Sequence, residues 1–174
     1  YLARHGRPGP VWVDIPLDVQ AAMVDETKLA PFDPVEIPTG GDAPAALAGK
    51  ARQVVALLRA AQRPILLVGN GVRLAQAQAE LERLMARLQI PVLLTWKAAD
   101  FLPDTHPLYA GRPGASGQRG ANFSQQNADF ILVIGARLDY GQIAYGHRNF
   151  ARAARKVMVD IDQAEIHKMQ TPFD

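Results

Sequence analysis

Four short stretches hold most of the residues whose type and spacing could do chemistry: Gly69-Asn70-Gly71, Gly114-Ala115-Ser116-Gly117, Gly135-Ala136-Arg137-Leu138-Asp139 and Asp160-Ile161-Asp162. Glycines at a turn let the backbone approach a phosphate or a ring closely. The Gly114 stretch leads toward a helix, whose free amides would receive an anion. Arg137 brings a fixed cation, and Asp160 and Asp162 bring carboxylates that accept hydrogen bonds from ribose or ribityl hydroxyls. Any one stretch is as well explained by a tight turn or a helix cap. All four together favour a nucleotide-type ligand.

Other chemistries find little support. A nicotinamide dehydrogenase fingerprint needs a third glycine where Gly69-Asn70-Gly71-Val72-Arg73-Leu74 has Leu74, and an acidic residue where the second strand ends Leu94-Thr95-Trp96-Lys97. His5, His106, His147 and His167 lack metal-ligand spacing, and no HExxH or paired-carboxylate arrangement occurs. Ser116 and Ser124 have no nucleophile-elbow context. Arg148, Arg152, Arg155 and Lys156 read as a solvated basic face, with Arg148 and Arg152 four apart on an expected helix; Trp12 and Trp96 read as packing residues. No residue is assigned a catalytic role.

The elements that must position these stretches follow from hydrophobic period. Ala45 to Ala61 and Leu74 to Leu88 carry apolar stripes at helical spacing, the second turning Leu74, Leu81, Leu84, Met85 and Leu88 inward. Ile65–Val68, Val92–Leu94, Phe130–Ile134 and Lys156–Ile161 are continuous apolar runs that read as strands. Short helices are expected over Ala121–Gln126, around Phe150–Ala154, and from Gln163 to Met169 behind Asp162 as N-cap. Lys97 to Gly120 reads as a long glycine- and proline-rich loop. Strands apolar on every residue, alternating with amphipathic helices, predict an α/β fold: a doubly wound parallel sheet with helices on both faces. Ligands of such sheets sit beyond the carboxyl ends of the strands.

Composition sets the outer limits. At 174 residues with 48% hydrophobic and 21% charged side chains, the chain can bury one ordinary core. A formal charge of +2 does not suit a dedicated nucleic-acid binder. Residues 1–45 hold three basic and seven acidic side chains, residues 46–174 sixteen and ten, so the body is the positive part. No apolar stretch nears the roughly 20 residues that span a bilayer. The absence of cysteine removes disulfides and thiolate metal sites and fits cytoplasmic residence.

Pro10-Val11-Trp12-Val13-Asp14-Ile15-Pro16 reads as a short strand bounded by prolines, and such a strand needs a sheet. Leu29 to Pro44 has linker composition, with four prolines, two glycines and two aspartates. The expected organisation is therefore residues 1–28 as the tail of a preceding domain, 29–44 as linker, and 45–174 as a central Rossmann-like domain within a larger chain.

Gly6-Arg7-Pro8-Gly9-Pro10-Val11-Trp12-Val13-Asp14-Ile15-Pro16-Leu17-Asp18-Val19 resembles the close of the pyrimidine-binding domain in thiamine diphosphate enzymes of acetolactate synthase type. The body resembles their central domain, in order: Arg63–Gly71, Leu102–Gly111, Ala128-Asp129 with the strand to Asp139, and Val159–Ile166. The resemblance implies a parallel sheet of about six strands. It implies a parent transferase or lyase that makes or breaks carbon–carbon bonds on 2-keto acids, with thiamine diphosphate and Mg2+ bound by flanking domains. That parent would be a homodimer or homotetramer, free of nucleic acid and membrane. This domain would be non-catalytic: a scaffold and a site for FAD or ADP. The positions matching that site are Gly69, Asn70, Gly71, Thr95, Trp96, Lys97, Gly114, Ala115, Ser116, Gly135, Arg137, Asp160, Ile161 and Asp162. The sequence departs from the family at Ser116, where a histidine is usual, at Gly141, in place of an arginine, and between Leu29 and Gly49, where an arginine is missing. The alternative is an independent nucleotide-binding module without catalysis. A sirtuin-like deacylase, faintly suggested by Gln126-Asn127-Ala128-Asp129, lacks its zinc cysteines.

Overall fold

Runs such as Ile65-Leu66-Leu67-Val68 and Phe130-Ile131-Leu132-Val133-Ile134 have no polar face to offer water, so they belong in the middle of a covered sheet. The computed structural model describes residues 1–37 and 41–174 and divides into two compact units, Tyr1–Gly40 and Gly41–Asp174. In the second unit β1 (Pro64–Val68) and β4 (Phe130–Ile134) lie side by side at the centre, parallel, in register from Pro64↔Phe130 to Val68↔Ile134. β2 (Val92–Leu94) and β3 (Tyr109–Gly111) extend the sheet on one side, and β5 (Arg155–Val159) on the other. The order is β3-β2-β1-β4-β5, with every pairing parallel. There are five strands rather than about six. β3 falls inside the passage read as loop, because three residues ending in glycine give no alternation to detect.

Helices cover both faces. α2 (Pro44–Ala60) turns Val54, Leu57 and Leu58, with the following Ala61, toward Leu66, Val68, Phe130 and Leu132. α4 (Gln78–Leu88) adds Leu81 and Met85 to that layer. The opposite layer joins Leu67, Leu93, Ile131 and Val133 to Ala121 of α5 (Arg119–Asn127) and to Phe150. Successive residues of β1 thus feed opposite cores, as the period of a strand requires. Among the described residues no helix is long and apolar enough to cross a membrane.

Three sequence expectations are corrected. The stretch after β1 is not one helix: α3 (Gly71–Leu74) stops, Gln76 takes a left-handed φ of 55°, and Leu74 is exposed. Ala75-Gln76-Ala77 has no large apolar group to hold a continuous helix on the sheet. The expected basic helix around Phe150–Ala154 is instead a 3-10 turn over His147–Asn149 followed by turns, with Ala151 at φ 41°. Burial of Phe150 and Ala151 in the core sets that path, so Arg148 and Arg152, both exposed, share no helix face. Residues 10–16 form no ladder, since the first unit supplies no partner strand, and Trp12 is 90% exposed. The first unit contains α1 (Leu17–Gln20) and 3-10 turns at Glu26–Lys28 and Pro34–Glu36, capped by Asp25 and Asp33. Residues 38–40 of the expected linker lie outside the described residues.

At the amino edge Asp129 ties three strands together. Its carboxylate accepts from the backbone N–H groups of Gln62 and Arg63, each at 2.8 Å, and its carbonyl accepts from Arg155 N–H at 2.9 Å. The outer edge of β5 is strapped by Asp174, which receives Arg155 and the Lys156 N–H on its carboxylate and donates its own N–H to the Lys156 carbonyl at 2.7 Å.

Candidate functional site

The order of strands puts a topological switch between β1 and β4: from β1 the chain winds outward through β2 and β3, then returns to β4 and winds the other way through β5. Loops leaving the carboxyl ends of β1 and β4 part in opposite directions, and ligands of open α/β sheets bind in that crevice. All fourteen candidate residues lie along this edge. Gly69, Asn70 and Gly71 follow β1; Thr95, Trp96 and Lys97 follow β2; Gly114, Ala115 and Ser116 follow β3; Gly135 and Arg137 follow β4; Asp160, Ile161 and Asp162 follow β5.

The glycines do something other than cradle a phosphate. Gly69 and Gly71 lie directly against the loop after β4. Gly69 N–H donates to Ile134 O and Gly71 N–H to Gly135 O, both at 2.9 Å, and Val72 N–H returns to Gly69 O. A Cβ on Gly71 would stand 2.6 Å from Gly135 Cα; one on Gly69 would stand 2.5 Å from Ala136 Cα and closer still to Gly135 O. Gly135 itself sits at φ 61°. These glycines let two backbones touch at the switch: the Gly69 and Gly71 amides are spent on carbonyls of the facing turn, and the Gly135 amide on Val159 O.

The second glycine turn is likewise fastened from within. Asn122 of α5 brackets Gly114, accepting its N–H at 2.9 Å and donating to its carbonyl at 3.0 Å. Ala115 N–H reaches Gly141 O at 2.9 Å, Gly117 N–H reaches Gly114 O, and Gln118 N–H reaches Arg112 O. Ser116 stands exposed between them. Across from Gly114 is Trp96, 59% exposed, its Nε1 3.6 Å from where a Gly114 Cβ would be. Trp96 is therefore no core residue; its ring faces solvent at the edge.

Thr95 is anchored by its N–H to Val68 O at 2.9 Å. Arg137 pairs with Glu165 at 3.3 Å, and Glu165 also receives Lys168. Asp160 accepts the Asp162 N–H at 2.9 Å, and Asp162 caps α7 (Gln163–His167) by accepting Ala164 N–H at 2.9 Å. Ile161 is exposed beside them.

Two residues not singled out by sequence shape this edge. Arg73 donates to Asn70 Oδ1 at 2.8 Å and to the Lys97 carbonyl at 3.0 Å, pairs with both oxygens of Asp100, and lies 4.6 Å from the Phe101 ring centroid. The Asp100 carboxyl is held below its usual range by those Arg73 hydrogen bonds. Asn122 is the other. Neither carries a local motif; both act through partners many residues away or on a facing element.

Beside Gly114 and Ala115 opens a cleft of about 310 Å³ whose wall includes Asn122, Gln125, Gln126, Gln142 and Phe150. Gln126 donates its Nε2 to Asn149 O at 2.8 Å, and Gln142 donates to Pro113 O at 3.2 Å. Gln125 is buried, and its Oε1, sealed from solvent, has no partner among the described residues. An orphaned acceptor costs about 1–3 kcal/mol, whereas an apolar side chain of the same shape avoids that penalty. Gln125→Met is therefore expected to stabilise the protein by about 1 kcal/mol, read as a higher urea midpoint at unchanged m-value. A lower midpoint would contradict it.

The histidines show no catalytic grouping. His106 accepts the Leu108 N–H at 3.2 Å within its own loop, and Ser124 bonds to Gly120 O inside α5. Among the described residues no group of three His, Cys, Asp or Glu could hold a metal ion.

Residues 51–172 match the family described as thiamine pyrophosphate enzyme, central domain. Among curated proteins the chain is 39% identical over 172 residues to the acetolactate synthase isozyme 1 large subunit of Escherichia coli, covering 98% of this chain and 29% of that protein. It is 37% identical over 174 residues to acetolactate synthase of Arthrospira platensis, covering 97% and 29%. Against the acetolactate synthase large subunit of Lactococcus lactis it is 31% identical over 170 residues, covering 97% and 29%. The chain thus spans less than a third of the length of these relatives.

Proposed function

This chain belongs to the thiamine pyrophosphate enzyme central-domain family, and from that premise we propose that it is the non-catalytic middle domain of a thiamine diphosphate-dependent enzyme of acetolactate synthase type. The parent acts on 2-keto acids as a cytoplasmic homodimer or homotetramer. This domain is its scaffold and holds a nucleotide, FAD or ADP, along the carboxyl edge of the sheet. The observation that carries the reading is the convergence of all five strand-end loops on one edge that is polar, part-exposed and equipped with a solvent-facing indole.

Thiamine diphosphate itself does not fit these residues. The magnesium that would accompany its diphosphate takes oxygen ligands, and among the described residues no carboxylate cluster would hold it. That chemistry belongs to other parts of the parent protein. A nucleotide fits better, though not in the manner of a phosphate loop. Its planar ring has Trp96 to lie on; its sugar or ribityl hydroxyls have Asp160 and Asp162 as acceptors; Arg137, held by Glu165, stands at the mouth. FAD held here would contribute binding and structure, with no net redox part in the carbon chemistry. The chain's own residues orient it, exclude water from one face of the ring, and fix the loop after β2.

Calorimetric titration with FAD, ADP and NAD tests the proposal. The expected result is saturable binding of FAD or ADP and none of NAD, with Asp160→Ala weakening it about tenfold or more, the worth of one charged hydrogen bond. Absence of FAD and ADP binding would reduce the domain to a scaffold.

A further inference from the structure

An anionic ligand at this edge needs a positive group to receive it, and the structure narrows the choice. The backbone donors are largely spent: those of Gly69 and Gly71 on the switch contact, that of Val72 on Gly69 O, and those of Gly114, Ala115, Gly117 and Gln118 on the second turn. α3 is a single turn and offers no helix terminus to speak of. Side chains must do the work.

Five lysines and arginines lie between a strand's carboxyl end and the close of the first helix or 3-10 turn that follows it. Arg73 is paired with Asp100 at 2.6 Å, Arg112 with Asp104 at 3.4 Å, and Arg137 with Glu165 at 3.3 Å. Arg119 is folded over the Phe123 ring, 5.5 Å from its centroid. Lys97 alone of the five has neither a carboxylate nor a ring among the described residues, and its side chain is exposed. Its position is nevertheless fixed. Its carbonyl is gripped by Arg73, which at the same time holds Asn70 and Asp100, so that the end of β1 and the loop after β2 are locked to one guanidinium. Lys97 also follows the exposed Trp96, so that an indole and an uncommitted ammonium leave the same 3-10 turn.

We infer that Lys97 receives the phosphate of the ligand bound at this edge, and that Arg73 is the positioning residue that presents it. The inference rests on the nucleotide reading above and adds to it the source of its charge selectivity: a phosphate-bearing ligand is preferred to its uncharged nucleoside. Arg73 contributes without touching the ligand, because its charge is already answered by Asp100.

The test is calorimetry on the whole protein with ADP and with adenosine, thiamine diphosphate and magnesium being present throughout to fill diphosphate sites elsewhere. The wild type is expected to prefer ADP by about tenfold or more, the worth of one charge-assisted hydrogen bond, and the preference should shrink as salt is raised. Lys97→Met keeps the stem and removes the charge; it should bring ADP down to the affinity of adenosine while leaving adenosine unchanged. Arg73→Ala should cut the ADP preference, and Arg73→Lys should restore part of it. An ADP-to-adenosine ratio that survives Lys97→Met would overturn the assignment while leaving the nucleotide reading intact. A wild type that binds neither ligand would overturn that reading and this inference together. An unchanged ratio in Arg73→Ala, beside a collapsed one in Lys97→Met, would overturn only the positioning role.

Discussion

Gly69→Ala is expected to unfold the second unit or to lower its stability by about 3 kcal/mol or more, the upper range for forcing atoms into a packed interior. A single methyl here meets backbone on the facing loop, at 2.5 Å from Ala136 Cα. Backbone cannot swing aside as a side-chain tip can, so either β1 and β4 part at their carboxyl ends or the Ile134–Ala136 turn is rebuilt. Gly71→Ala faces the same obstacle at 2.6 Å from Gly135 Cα. Gly120→Ala is the control, since a Cβ there meets nothing within 4 Å. Circular dichroism melts of the three proteins would decide. Wild-type stability in Gly69→Ala, together with loss of nucleotide binding, would mean that the glycine is kept for a ligand after all.

Asp129→Ala is expected to cost about 2 kcal/mol, less than two full charge-assisted hydrogen bonds because the site is reached by water. Two N–H groups at the entry to β1 would lose their acceptor. The carboxyl's pKa lies below its ordinary value: burial works to raise it, but the Gln62 and Arg63 N–H donors and the Arg63 guanidinium outweigh that effect. A group whose folded pKa is depressed contributes stability above its unfolded pKa and loses it as pH falls through the folded value. The difference between wild type and Asp129→Asn should therefore be full at pH 7, begin to close below about pH 4, and vanish in stronger acid. Urea midpoints measured across that range check it, and a difference that is flat with pH would assign the effect to packing.

Much of the fold is legible in the sequence because its central strands are apolar on every residue, a pattern that neither a surface helix nor an exposed strand can carry. Val92–Leu94 and Phe130–Ile134 were expected at the bounds they take. Tyr109-Ala110-Gly111 is too short and too small to announce itself. Val11–Ile15 carries a strand's composition without a ladder, because pairing is decided by a partner that no local pattern names. The path of residues 147–154 follows from the burial of Phe150, a tertiary fact.

The candidate site divides in the same way. That Gly69, Gly114, Gly135 and Asp160 should gather at one edge follows from strand–helix alternation alone. What each glycine does there does not, because Gly69 and Gly135 lie far apart in sequence and become neighbours only through the β1–β4 pairing. The same holds for charge. Sequence gives Arg73, Lys97, Arg112, Arg119 and Arg137 equal claims, and only the ion pairs and the Arg119–Phe123 contact show which of them is unengaged.

The strap at β5 bears on how this molecule behaves among its own copies. β5 ends the sheet, and an unpaired strand edge is a template on which a second chain can nucleate a ladder. Here an incoming strand would first have to displace Asp174 from Arg155 and from both backbone groups of Lys156. It would also meet a lysine whose ammonium is folded inward onto Ala154 O, with burial lowering its pKa and the Asp174 carboxylate opposing that shift. The opposite edge is three residues long. Both margins of the sheet are thus poor seeds for cross-β growth, and a copy that joins this sheet edge to edge must first undo a strap or settle for three residues.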